Sequence, residues 1–151
     1  MIVYRITGHK YAGDISGAGA ALHGGRWNKK GSRVMYTGGS KEIALLEVIA
    51  HTPPMLVPKL DILKIEIPDD SITVLTAEQL PLNWADYPAP TVLSEIGEEW
   101  IQEGRTVALS VPSCIIRTSN NFILNCGHPA YSQVKILDRA DFHFDARLVG
   151  F

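Results

Sequence analysis

Apolar residues recur every second position in several short runs of the chain and nearly continuously in one longer run. Ile2 to Ile6 is β-branched and alternating, which predicts a short strand with Arg5 facing opposite to Tyr4. Residues 7–25 carry Gly8, Gly13, Gly17, Gly19, Gly24 and Gly25 and read as a loop with at most one short helical turn. Gly24-Gly25 lets the backbone bend sharply before Arg26-Trp27-Asn28. Lys29 to Ser32 reads as a turn, and Val34 to Thr37 as a strand ending in Gly38-Gly39. Ser40 to His51 predicts a helix. Ser40 is a good N-cap type, and Glu42 and His51 suit the two ends of the dipole. Thr52-Pro53-Pro54 stops it, because proline lacks the N–H and clashes with the preceding turn. Ile43, Ala44, Leu45, Leu46, Val48, Ile49 and Ala50 make this helix apolar almost all round, the mark of a buried element.

Farther on, Lys59 to Ile67 alternates through Leu60, Ile62, Ile65 and Ile67, with a slip near Leu63 that reads as a bulge. Ser71 to Leu75 is another strand, and 76–90 an irregular loop with a short helical turn. Thr91 to Gly104 predicts a second helix. Leu93, Ile96 and Trp100 share one face, Glu95, Glu98, Glu99 and Glu103 form a solvated one, and Gly104 follows at C′. Strands are expected at Thr106 to Val111, Asn121 to Cys126, Val134 to Leu137 and Asp141 to Leu148. The last would turn Phe142, Phe144, Ala146 and Leu148 inward. Six to eight short strands with two helices and no regular alternation make the class α+β.

The 151 residues suit one domain, taken as 1–151, with one core. Hydrophobic content of 46% and charged content of 20% describe an ordinary globular chain. A net charge of −2 and a pI near 6.2 argue against direct nucleic-acid binding, which calls for a basic face. Cys114 and Cys126 give neither metal spacing nor a disulfide framework. The start MIVYRITGHK has no apolar h-region, and no apolar run nears the roughly 20 residues that span a bilayer, so a cytoplasmic location is expected.

Glu47 lies four residues after Ile43 and three before Ala50, on the apolar stripe. A carboxylate there loses solvation unless something compensates, and such groups concentrate at functional sites. It also suits a structural ion pair, with Arg5 as a partner. Arg26, Tyr36 and Glu47 fall on three successive elements. Arginine offers a fork of donors for a phosphate, tyrosine a flat face for a ring, and glutamate a partner for a ribose hydroxyl. The carboxylate can also stabilise the oxocarbenium-like charge that grows as a glycosidic bond breaks. Together they fit a nucleotide whose N-glycosidic bond is to be cleaved, and nicotinamide dinucleotides fit well because the base leaves as a neutral ring. Each residue also has a structural reading: Arg26 as a surface ion pair, Tyr36 as core packing. No P-loop, HExxH, GxSxG or CxxC occurs. Gly17-Ala18-Gly19 lacks the third glycine of a dinucleotide loop, since position 22 is leucine. The histidines are too dispersed for a metal site, and none is expected. Cys114 with His128 is a conceivable nucleophilic pair, although a lone cysteine beside a strand is usually a small buried hydrophobe.

Over nearly the whole chain the sequence resembles the RES-domain family, toxins of bacterial toxin–antitoxin pairs. The resemblance rests on VYRI, GGRWNKKGSRVMYTGGSKEIALLEVIAH, LSVPSCII, NFILNCGHPAYSQVKI and the closing DFHFDARL. The arginine, glutamate and serine of the family name correspond to Arg26, Glu47 and Ser113. Tyr36 matches the family's active-site tyrosine, and Asn125 and Arg5 match recurrent positions. On this reading Glu47, Arg26, Tyr36 and Ser113 are catalytic, and Arg26, Tyr36, Ser113, Asn125 and Arg5 bind substrate. Cys126 and Ala146 stand where the family often has proline. The resemblance implies a mixed, split β-sheet core similar to diphtheria-toxin-type ADP-ribosyltransferases. It implies consumption of NAD as substrate, with no bound cofactor, by cleavage of the nicotinamide–ribose bond. The acceptor is water or phosphate (a glycohydrolase or phosphorylase) or, alternatively, a protein side chain. It also implies an Xre/Cro-like helix-turn-helix antitoxin as partner, and a homodimer. A non-catalytic antitoxin-binding or autoregulatory module is a further alternative; a ribonuclease is disfavoured by the acidic balance and the lack of a histidine pair.

Overall fold

The alternating runs become strands of one seven-stranded sheet with the order β4-β5-β6-β2-β1-β3-β7. The computed structural model describes residues 1–53 and 59–149. The strands are β1 (Ile2–Gly8), β2 (Val34–Gly38), β3 (Leu60–Glu66), β4 (Ile72–Val74), β5 (Ala108–Pro112), β6 (Asn120–Asn125) and β7 (Lys135–Phe142). The helices are α1 (Ala18–His23), α2 (Lys41–His51) and α3 (Thr91–Glu103). β4 and β5 run parallel and the remaining pairs antiparallel, so the sheet is mixed and the class α+β. The expected split appears as a seam. β1 pairs with β3 along its whole length, but with β2 only at Tyr4↔Gly38.

Register sorts the side chains onto two faces. On one, Tyr4, Ile6, Leu60 and Ile62 pack against Ala44, Leu45 and Val48 of α2. Farther along that face, Val34, Leu109, Val111 and Ile123 pack against Trp27 and against Leu93 and Trp100 of α3. On the other, Val3, Met35, Leu63, Ile65 and Leu124 are covered by Ala12, Ile15, Tyr131 and Val134. Among the described residues no helix is long and apolar enough to cross a membrane.

Several expectations need correction. The segment 7–25 is more ordered than its glycines imply, with a 3-10 turn at His9–Tyr11 and the helix α1. α2 starts as read, with the Ser40 hydroxyl accepting from the Ile43 N–H at 3.2 Å, and Thr52 leaves it in extended conformation. Pro54 lies outside the described residues. However, α2 is not a buried element: only Ile43 and Ala44 are buried, because the helix lies over one side of the sheet and, among the described residues, nothing covers its outer side. The bulge in β3 falls between Lys64 and Ile65 rather than at Leu63. The two closing strands are one, β7, and Ala146–Val149 is a 3-10 turn with Ala146 exposed. Glu98 is not merely solvated, since its carboxylate accepts the Ser32 hydroxyl at 2.6 Å.

Candidate active site

Glu47 is one helical turn past Ile43 and Ala44, the two residues that α2 buries, so it lies on the same side of the helix. Its side chain is half-buried rather than stranded in the core. Its Oε1 accepts the Asn121 side-chain amide at 2.7 Å and, more weakly, the Ser113 hydroxyl at 3.4 Å. Ser113 is fully buried, and its Oγ accepts the backbone N–H groups of Ile115 and Ile116 at 3.1 and 3.3 Å. Those two bonds turn the chain out of β5 and leave the hydroxyl proton for Glu47. Ser113 therefore meets the carboxylate from a buried position. Asn121 is not among the site residues expected from the sequence. Among the described residues its Oδ1 is buried without a partner, so the amide is fixed by its bond to Glu47.

Tyr36 sits on the same face of the sheet. It pairs with Ile123, while Asn121 pairs with Gly38, so Tyr36 and Asn121 are diagonal neighbours, roughly 7–8 Å apart at that register. The Tyr36 hydroxyl donates to Asn28 Oδ1 at 2.7 Å and accepts the Trp27 N–H at 3.0 Å. Asn28 is itself buried and donates to the carbonyls of Ala20, Lys29 and Ser32. Burial pushes the Tyr36 phenol up to about 12, against the Trp27 N–H and the positive charge of Arg26, which pull it down. The approach is so close that a Cβ on Gly25 would lie 2.7 Å from the Tyr36 oxygen, which explains why the bend before Arg26 is glycine.

Arg26 leaves this bend half-buried. Its Nη1 and Nη2 donate to the backbone carbonyls of Trp84 and Asp86 at 2.8 and 3.0 Å. Two of a guanidinium's roughly five N–H donors are thereby used to fix the fork, and the others remain for an anion. The surface-ion-pair reading of Arg26 fails, since its partners are carbonyls. Arg117, on the loop that starts at Ser113, lies over the Trp84 indole at 5.9 Å. The contacts thus form a closed circuit: Glu47 and Asn121, Tyr36 through the sheet, the 25–28 bend, Arg26, Trp84, Arg117, and back along the loop to Ser113.

Two residues expected to bind substrate lie outside the circuit. Arg5 projects from the opposite face of the sheet, where it donates to the Asp14 carbonyl and is neither a partner of Glu47 nor near it. Asn125 shares the face of Tyr36 but sits four residues beyond Asn121, about 13 Å along the strand. Its Oδ1 accepts the Gly127 N–H at 3.0 Å and holds the turn after β6. Burial pushes the Cys126 thiol up, which disfavours the thiolate. His128, whose ring bonds the Gly104 carbonyl and the Ala130 N–H, is committed to the same turn, and no bond to Cys114 forms. The opposite face does bring His9, Asp61 and Asp141 together, within 4.8 Å at their ligating atoms. Arg139 Nε also donates to Asp61 there, at 2.5 Å. A cavity of about 280 Å³ beside the first turn of α2 is lined by residues such as Ser40, Ile43 and Asn120 and includes none of the circuit.

A family model described as RES domain matches residues 2–145. A protein of Photorhabdus laumondii named Toxin Res is 39% identical over 153 residues, covering 99% of this chain and 97% of its own. A Sphingobium protein named Prs ADP-ribosylating toxin is 35% identical over 142 residues, covering 91% of this chain and 88% of its own. The toxin–antitoxin complex MbcT–MbcA of M. tuberculosis contains a chain of the same fold. Its TM-score is 0.77 at 20% identity, covering 98% of this chain and 86% of that one. With a domain model spanning nearly every residue and a relative 39% identical over almost its full length, this chain belongs to the RES-domain toxin family.

Proposed function

We propose that this toxin cleaves the nicotinamide–ribose bond of NAD. The observation that carries the reading is a half-exposed carboxylate, Glu47, held by an amide and a hydroxyl in one circuit with an anchored guanidinium, Arg26. The C–N bond breaks with its electron pair leaving on nicotinamide, which becomes a neutral base. Positive charge then develops on the ribose carbon and ring oxygen, and Glu47 stabilises it. Arg26 takes the pyrophosphate with its free N–H groups. Tyr36 offers its ring face to the nicotinamide; its hydroxyl is already committed to the 25–28 bend. Ser113 and Asn121 keep the carboxylate aimed. Water closes the reaction as ADP-ribose plus a proton, and phosphate as ADP-ribose phosphorylated on the ribose carbon that nicotinamide left. A protein side chain as acceptor is the second reading, favoured by the name of the Sphingobium relative.

The test is to incubate purified protein with NAD, with and without phosphate, and identify products by mass. Nicotinamide is expected from the wild type, and Glu47→Gln should lower its release at least about a hundredfold, the usual scale for losing such stabilisation. Equal rates for the two proteins would sink the assignment. For a partner we propose a helix-turn-helix antitoxin of the Xre type, with the toxin as a homodimer. Expressed alone, the toxin should deplete cellular NAD, and the antitoxin should restore it. Unchanged NAD without antitoxin would favour a purely binding role.

A further inference from the structure

We propose that Arg117 is a second anion-gripping residue, one that takes the adenylate-side phosphate and so selects a dinucleotide over a mononucleotide. The inference rests on NAD being the substrate. Arg26 and Arg117 approach one residue from two sides: Arg26 binds the Trp84 carbonyl, and Arg117 covers the Trp84 ring at 5.9 Å. Trp84 is itself buried, so it is a fixed wall between two cations. Arg117 is exposed, and among the described residues neither arginine meets a carboxylate within ion-pair distance.

The loop that carries Arg117 is held at both ends. The Ser113 N–H donates to the Ser119 carbonyl at 2.8 Å, and the Ser119 N–H to the Ile116 carbonyl at 2.9 Å. The Ser113 hydroxyl gathers the amides of Ile115 and Ile116 inside it. A guanidinium held over an indole by cation–π attraction keeps its N–H edge free for a phosphate and is biased towards that position, so less entropy remains to be lost on binding. The same serine that aims Glu47 thus shapes the loop that presents Arg117, which couples the reacting end of the substrate to its far end.

Arg117→Gln tests this with NAD and with nicotinamide mononucleotide, which lacks the adenylate. For NAD, KM should rise about tenfold, the loss of one charge-assisted hydrogen bond, with kcat within about twofold. For the mononucleotide, KM as substrate, or its inhibition constant against NAD, should not change. Arg117→Lys should restore part of the NAD affinity. An NAD KM within about twofold of wild type, in a protein that cleaves NAD, would overturn the proposal. So would an equal rise for both nucleotides, which would make Arg117 a prop for Trp84. A wild type inert towards NAD would bring down the underlying reading and this one with it.

Discussion

Tyr36 carries two duties with separate atoms: its ring belongs to the circuit and its hydroxyl to the backbone. Removing the oxygen in Tyr36→Phe leaves the Trp27 N–H and the Asn28 side-chain Oδ1 unmatched. That should cost about 1–3 kcal/mol in denaturant unfolding. The pH dependence follows from the same burial. The folded phenol, raised to about 12, holds its proton more tightly than an unfolded tyrosine near 10. The resulting stability is complete below pH 10 and declines as pH rises towards 12; in Tyr36→Phe this alkaline decline should flatten, and an unchanged slope would refute the assignment. Glu47 was legible in the sequence because a carboxylate interrupts an apolar stripe, although the stripe proves half-exposed. Asn121 was not legible. An asparagine at the start of a strand resembles a turn residue, and only the pairing with Gly38 shows that it faces Glu47's side of the sheet.

α3 and the Arg26 bend are locked by the absence of one carbon. A Cβ on Gly97 would lie 1.8 Å from the Trp27 carbonyl oxygen, which is backbone and cannot swing aside. Gly97→Ala should therefore push α3 off the bend, at least about 2 kcal/mol of destabilisation by the usual cost of overpacking. It should also lower NAD cleavage by moving Arg26; a variant with wild-type melting temperature and activity would show the contact to be looser. Nothing local marks this glycine, since mid-helix glycines occur for many reasons. α2 and α3 were readable from period and caps, as were β1, β2 and β3 from alternation. β7 was not. Lys135–Phe142 is an edge strand with Leu137, Asp138, Arg139, Ala140 and Asp141 all exposed, so it carries no two-residue rhythm. The apparent rhythm after it ends in a side-chain-capped turn, where Asp145 accepts the Arg147 N–H at 2.9 Å.

Strand order lies beyond periodicity, because pairing depends on residues far apart in the chain; the family resemblance supplied the mixed, divided sheet. On the face away from the circuit, Asp61 joins three elements. It sits on β3, bonds His9 after β1 at 2.8 Å, and bonds Arg139 of β7 at 2.5 Å. The hydrogen bond from His9 and then Arg139 hold its carboxyl below the usual range. Its contribution is therefore complete above an unfolded aspartate's titration near 4 and is lost as pH falls through that point and below. Asp61→Asn should be less stable at neutral pH and lose less stability on acidification, read from urea midpoints across pH. Parallel acid curves for the two proteins would refute the role.

The single rung between β1 and β2 has a mechanical consequence. α2 touches both strands and straddles that thin joint, so it acts as a strap across two plates. The strap also bears Glu47, while its hydrogen-bond partners, Ser113 and Asn121, belong to one plate alone. Any twist of the plates against each other is therefore felt first as misalignment at Glu47, well before either plate comes apart.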